Sequence, residues 1–112
     1  SYTSFSGVNL WPGKQIRSHN YHTPEPFRNR VVVLIGSSMS AADLSIEIAE
    51  VAREVHFASR SVADETYEKQ LRHDNLWLHS MVESASGDGT VVFRFGSAVV
   101  AHIILHCTGH RL

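Results

Sequence analysis

Cysteine is nearly absent. Cys107 stands alone, so no internal disulfide is possible and a reducing, cytoplasmic setting is the expectation. Long apolar runs are missing too. The two longest, residues 31–35 and 98–107, fall short of the roughly 20 apolar residues that span a bilayer, and His102 and His106 interrupt the second. There is no charged-then-apolar layout of a secretory leader. Ser1 stands where an initiator methionine would, so the chain reads as a piece of something longer. Charge of one sign is also lacking: Lys+Arg 10 against Asp+Glu 11 leave a formal net charge of -1. That balance predicts no nucleic-acid partner and no basic membrane-surface patch. What remains is 112 residues, 43% of them hydrophobic, enough for one small domain with one core.

Residues 1–30 read as irregular. Pro12-Gly13 marks a turn, and Pro24 and Pro26 stiffen an extended approach. Phe5, Trp11 and Tyr21 point to a segment that packs across a surface. The run Val31-Val32-Val33-Leu34-Ile35 has no alternation, as expected of a parallel strand buried on both faces. Gly36 ends it, and a helical pattern follows. Ala41, Leu44, Ile48, Val51 and Val55 form an apolar stripe, with Asp43, Glu47, Glu50 and Glu54 on the opposite, solvated face. Residues 55–58 read as the next strand, completing a βαβ unit. Further on, Leu76–His79 and residues 81–84 read as one short bent strand. Residues 90–95 and 99–107 read as two more, separated by turns at Gly87-Asp88-Gly89 and Gly96-Ser97. The expected fold is α/β, a Rossmann-like βαβ unit with an added β-meander.

Gly36-Ser37-Ser38-Met39-Ser40-Ala41 sits where a dinucleotide fingerprint belongs, after a strand and opening a helix. The first helical turn leaves backbone N–H groups unpaired, and the helix dipole adds partial positive charge, so a pyrophosphate is favoured there. Gly36 permits the tight turn. Ser38 and Ala41 hold the other two glycine positions with small side chains, and the Ser38 hydroxyl can donate to a phosphate oxygen. With one glycine of three, the pattern alone fits a plain structural βαβ equally well. The end of the second strand adds information. An NAD site wants a carboxylate there for the ribose hydroxyls, whereas this chain reads Ser59-Arg60-Ser61. A guanidinium pairs with a 2′-phosphate that a carboxylate would repel, so the expected cofactor is NADP, with Arg60 at its 2′-phosphate. The alternative for Arg60 is a solvated surface arginine.

Other chemistries fit less well. His102, His106, Cys107 and His110 gather near the C-terminus, but histidines spaced by four along one strand face stand roughly 13 Å apart, too far for one ion. No metal site is expected. Cys107 lies in an apolar stretch and reads as an inert thiol, and Ser38 lacks a nucleophile elbow.

Several segments resemble a known family. Trp11-Pro12-Gly13-Lys14-Gln15-Ile16-Arg17-Ser18-His19-Asn20-Tyr21 is similar to the F-x-G-x-x-x-H-x-x-x-Y fingerprint of flavin-containing monooxygenases. Pro24-Glu25-Pro26-Phe27, the G-x-S-x-S-A turn at Gly36, Ala58-Ser59-Arg60-Ser61, Asn75-Leu76-Trp77-Leu78-His79-Ser80, Asp88-Gly89-Thr90-Val91-Val92-Phe93 and Cys107-Thr108-Gly109 resemble family segments in the same order. The similarity is closest to the plant branch that S-oxygenates methylthioalkyl glucosinolates. Departures are Trp11 for the leading Phe, Arg17 for the fingerprint His, His22 for a frequent Arg, His102 for an Asp and His110 for a Tyr.

The resemblance implies one part of a flavoprotein with two dinucleotide-binding domains. NADPH would reduce a bound FAD, and a soft sulfur or nitrogen nucleophile would receive one oxygen atom. It implies a linker over residues 1–30 and an NADP-binding domain over 31–112. Gly36 through Ala41 would hold the pyrophosphate, Arg60 the 2′-phosphate, and Thr108 and Gly109 would start the return toward the flavin domain. The family's FAD-binding glycine motif has no counterpart in these residues, so no turnover is expected of this chain alone, and no catalytic residue is assigned. The competing reading is a non-catalytic module that binds NADP or a protein. An exposed interdomain face around Trp11 and Trp77 is a further expectation.

Overall fold

The computed structural model describes residues 5–36, 39–59, 68–69 and 73–107. In chain order the elements are β1 (Lys14–Arg17), 3₁₀ turns at Ser18–Asn20 and Glu25–Phe27, β2 (Val31–Ile35), α1 (Met39–Ala49), β3 (Glu54–Ala58), β4 (Glu68–Lys69) and β5 (Leu76–His79). They continue with β6 (Val82–Ala85), β7 (Thr90–Phe93), a turn at Arg94–Gly96, β8 (Ala98–Val100) and β9 (Ile103–His106). A six-stranded sheet runs β1-β9-β2-β3-β5-β4, and a three-stranded sheet runs β6-β7-β8. The large sheet is parallel except for β4, which pairs antiparallel with β5. The small one is an antiparallel meander. The expected α/β fold, a βαβ unit with an added meander, is what the chain adopts.

The parallel sheet is covered on both faces, which is why β2 reads as an unbroken apolar run. Val32 and Leu34 look toward α1 and join Phe27, Ile48, Val55, Phe57, Ile103 and Leu105 in one cluster. Val31, Val33 and Ile35 look the other way and join Trp11, Val82, Val91, Phe93 and Ile104 beneath the meander. Each fully buried side chain of this kind contributes about 1.5–3 kcal/mol by leaving water.

Several boundaries differ from the sequence expectation. Residues 14–17 are not irregular: β1 pairs in parallel with β9, Lys14 opposite Ile103 and Arg17 opposite His106. One apolar residue in four carries no alternation, so only the distant partner makes this segment a strand. The helix stops at Ala49, short of Val51. Asn75 Nδ2 donates to the carbonyls of Ala49 and Ala52, and the Asn29 N–H donates to the carbonyl of Val51. Tertiary donors thus take the carbonyls that a longer helix would use. Glu54 and Val55 continue the stripe spacing but belong to β3, opposite Val31 and Val32.

The expected bent strand over 76–84 is two strands in different sheets, β5 against β3 and β6 against β7. The expected strand over 99–107 also divides. The Ala101 N–H donates to Gly89 of the meander side, and the next N–H, of His102, donates to Val31 of β2. The chain changes sheets between adjacent residues, and no local pattern marks the step. The strand expected through residue 95 ends at Phe93, where Phe95 takes a positive φ of 71 in a tight turn.

Trp11 is not on an exposed face. It is buried, its Nε1–H donates to the Gly89 carbonyl at 2.9 Å, and it lies over Gly13, where a Cβ would sit 2.2 Å from the indole. Trp77 is half-buried against His56, with ring centroids 4.9 Å apart. The expectation that the N-terminal aromatics pack across the surface holds. Phe5 and Trp11 lie on the meander side, and Tyr21 lies on the helix side. Among the described residues, no helix is long and apolar enough to cross a membrane.

Candidate functional site

The turn after β2 is built by close packing. Gly36 is buried, and its N–H donates to Ala58 O at 3.0 Å. A Cβ at this position would lie 2.8 Å from Ala41 Cβ and 3.0 Å from Cys107 Cβ. Only glycine lets the end of β2, the start of α1 and the end of β9 meet so closely. Ala41 is 1% exposed, which is why a small residue is needed there. The backbone of α1 begins at Met39, and Ser40 is exposed beside it. The first turn of a helix generally presents N–H donors of the kind an anion meets. Ser37 and Ser38 lie outside the described residues, as does the side chain of Met39.

The place of this turn in the sheet matters. From β2 the chain steps through β3 to β5 on one side, while β9 lies on the other. Strand order therefore reverses at the β2/β9 boundary, where open parallel sheets leave a crevice at the carboxyl ends of their strands. Gly36 stands at that boundary, and the Cys107 N–H donates to Ile35 O at 2.7 Å across it.

Ser59 follows the last residue of β3, the strand next to β2 in the sheet. It is buried, and its N–H donates to His79 O at 3.1 Å. Arg60 and Ser61 lie outside the described residues, as do Thr108, Gly109 and His110. Burial pushes the Cys107 thiol up to about 11, against a lowering hydrogen bond with Ser18, so it stays protonated and unreactive at neutral pH.

Other expected groups are dispersed. His102 is exposed at the sheet crossing, where its Nδ1 accepts from the Val31 N–H at 2.9 Å, whereas His106 is buried in β9. They do not share one strand face, because 102 is not in a strand. Among the described residues, no three His, Cys, Asp or Glu side chains converge on a metal-sized site. Asp43 and Glu47 on α1 and Glu50 just past its end are exposed as expected, whereas Glu54 is half-buried at the start of β3. Two of the exposed three hold neighbours: Tyr21 Oη donates to Glu47 at 2.8 Å, and His73 Nε2 donates to Glu50 at 2.8 Å. A groove of about 550 Å³ opens away from the glycine turn, at the starts of β1, β2 and β9, lined by Lys14, Pro26, Arg30, Val100 and His102 among others.

Sequence reasoning missed the tertiary supports of the turn. Tyr21, the last residue of the fingerprint-like segment, ties the N-terminal crossing to α1, and Asn75 secures the other end of that helix. It also missed three buried imidazoles, His56, His79 and His106. An isolated histidine in a β-rich run gives no sign of which face it takes.

Comparison with known proteins agrees with this geometry. A family model described as flavin-binding monooxygenase-like matches residues 1–71. The chain is similar to flavin-containing monooxygenase GS-OX-like 4 of Arabidopsis thaliana, 52% identical over 110 residues, covering 98% of this chain and 24% of the relative. It is 55% identical over 105 residues to GS-OX-like 7 of the same plant, covering 94% and 23%. The solved structure of S-allyl-L-cysteine S-oxygenase from Allium sativum superposes with a TM-score of 0.93 at 50% identity, covering 98% of this chain and 25% of that one. The chain thus spans about a quarter of the length of these relatives. It belongs to the flavin-binding monooxygenase family.

Proposed function

We propose that residues 31–112 are the NADPH-binding part of a flavin-dependent monooxygenase, and that residues 1–30 are the linker leading into it. The observation that carries this reading is the glycine turn. Gly36 is wedged where no Cβ fits, at the start of α1 and at the reversal of strand order. In this reading the segment Gly36, Ser37, Ser38, Met39, Ser40 and Ala41 holds the pyrophosphate: Gly36, its own N–H bonded to Ala58 O, supplies the tight turn, the first turn of α1 supplies N–H donors, and the Ser38 hydroxyl donates to it. Arg60 pairs with the 2′-phosphate through its fork of donors, and the buried Ser59 anchors the strand end from which Arg60 leaves. These residues bind and orient. Oxygen activation is supplied by FAD, reduced by NADPH, when both are bound in the whole protein.

The substrate we infer for that whole protein is a small molecule with a soft sulfur or nitrogen nucleophile. A thioether of the methylthioalkyl glucosinolate type is the specific case. The similarity to GS-OX-like proteins and to an S-allyl-L-cysteine S-oxygenase supports a sulfur substrate. The chain alone is proposed to bind nucleotide without turning over.

Calorimetric titration with NADPH and with NADH tests the reading. NADPH is expected to bind more tightly, with the preference abolished in Arg60→Ala. Equal affinity for both in the unmodified, folded chain would sink the role of Arg60. No binding of either would mean that the turn is structural in this chain or needs the flavin domain beside it, and flavin absorbance in the purified chain would contradict the proposed lack of a flavin site.

A further inference from the structure

A second polar construction lies away from the glycine turn, under the meander. His56 of β3 and His79 of β5 are 4% and 3% exposed, and their Nδ1 and Nε2 atoms lie 2.9 Å apart. His56 Nε2 lies 2.9 Å from Glu54 Oε1. The two rings are enclosed by aromatics. Trp77 stacks on His56 at 4.9 Å and 7°, and Phe93 of the meander stacks on His79 at 3.8 Å and 10°. The pair therefore sits at the contact between the two sheets, and Phe93 is the lid on it.

The hydrogen bonds set the protonation states that the closed form accepts. Glu54 is a carboxylate acceptor, so His56 Nε2 carries a proton. With both rings neutral, His56 Nδ1 then accepts from His79 Nε2–H. One added proton can be held, making His56 a donor to both Glu54 and His79. A second added proton sets N–H against N–H at this separation, with two cations between aromatic rings and away from water. The closed arrangement has no place for it.

Among the described residues, the titratable groups facing the pair are Glu54 and the two imidazoles themselves. β2 places Val33 opposite His56 and β5 contributes Trp77, neither of which titrates. β4 sets Lys69 opposite Trp77 in the ladder, and the meander faces the pair with Phe93.

We propose that the His56–His79 pair is an acid-operated latch, whose second proton releases the β6–β8 meander from the main sheet while the α1-covered face stays folded. Release hydrates both imidazoles and uncovers Phe93, Val91 and Val82, a partial opening of the kind that local cooperative units undergo. The separation of the two clusters allows it, since none of the side chains beneath the meander belongs to the cluster under α1. Burial lowers the basicity of both rings, with the His79 value pushed down to about 3. Protons therefore favour the opened form as pH falls below the ordinary histidine range.

Two measurements on this chain test the latch. Ring-nitrogen NMR reads the protonation of His56 and His79 directly. While the chain is closed the two rings together are expected to take up at most one proton, and only below the ordinary histidine range. Titration of both at the ordinary histidine value, with the meander still protected, would overturn the proposal. Native-state hydrogen exchange, corrected for intrinsic rates, reads the opening. The opened form binds at least one proton more than the closed form, so β6–β8 amides are expected to lose protection by at least about tenfold per pH unit below about 6.5. Amides of α1 and β2 are expected to stay better protected than those of β6–β8 at every pH in this range, because they exchange only through the larger, global opening. Equal protection of all elements at each pH would show that only global unfolding exposes the meander and overturn the latch. His79→Phe keeps a ring against Phe93 and removes one titrating group, so it should flatten the acid dependence, and an unchanged slope would also overturn it. Should that variant fail to fold, the ring-nitrogen titration of the unmodified chain decides.

Discussion

The two faces of the large sheet bury similar hydrocarbon but differ in polarity. Beneath α1 the cluster is made of Phe27, Val32, Leu34, Ile48, Val55, Phe57, Leu76, Ile103 and Leu105, with small alanines between them. The opposite face shares its apolar residues with His56, His79 and His106, all buried, and with Gln15, whose carbonyl accepts from His106 Nε2–H at 2.9 Å. The same strands supply both faces through simple alternation. A hydrocarbon face holds equally at any pH, whereas an imidazole face holds only while its rings stay neutral. One sheet can therefore carry a pH-indifferent half and a pH-sensitive half.

The largest effects should come from cutting the lid and its counterpart. Phe93→Ala is expected to cost about 3–5 kcal/mol and Leu34→Ala about 2–5 kcal/mol, as urea unfolding near neutral pH would measure. Repeating the pair under mild acid sharpens the comparison. The Leu34→Ala chain should retain the acid dependence of the parent, while Phe93→Ala, with its imidazoles already hydrated, should lose much of it. Equal acid dependence in both would erase the distinction between the faces.

Acid itself comes next. Burial lowers His56 and His79, the latter to about 3, and burial followed by nearby positive charge, that of Arg17 included, lowers His106 to about 4. These groups are bases with depressed values in the folded chain. Their contribution is fully present above the unfolded histidine value of about 6.5 and is lost as pH falls below it, down to the folded values. With the pair and His106 each refusing at least one proton, roughly 2–3 kcal/mol should disappear between about pH 6.5 and 5.5. Denaturant midpoints across that range would read it, and a flat profile would contradict it.

Gly36→Ala is a smaller test of the nucleotide turn. Its new Cβ would press on Ala41 and Cys107, costing about 1–3 kcal/mol by overpacking and weakening NADPH binding in calorimetry. Unchanged stability and affinity would mean that the turn yields without cost. The least effect is expected from Tyr21→Phe. Removing the hydroxyl that donates to the exposed Glu47 should cost under about 1 kcal/mol in thermal or denaturant unfolding. A larger loss would mean that the fingerprint-like segment holds α1 more firmly than one exposed hydrogen bond can.

Legibility followed the range of the interactions. The β2 run, Gly36 and the start of α1 were readable because a doubly buried strand, a tight turn and an amphipathic helix each leave a local pattern. The family resemblance was readable for the same reason, since motifs in order are a property of the chain. β1 was not readable, because Lys14-Gln15-Ile16-Arg17 becomes a strand only by pairing with β9. Nor was the division of residues 98–107, where apolar residues continue across the step from the meander to the main sheet. The candidate site was half legible. Its small residues stood out in the sequence, whereas the reason Gly36 must be glycine is the approach of Cys107, which lies far along the chain.

By itself, then, the sequence determined the βαβ unit, the glycine turn and the family, because each is written in neighbouring residues and their spacing. Only the tertiary structure decided which sheet each later strand joins, where α1 ends and which histidines are sealed inside. Those outcomes depend on partners such as Gln15 and His106, which stand 91 positions apart, and burial and hydrogen bonding between such residues exist only once the chain has folded.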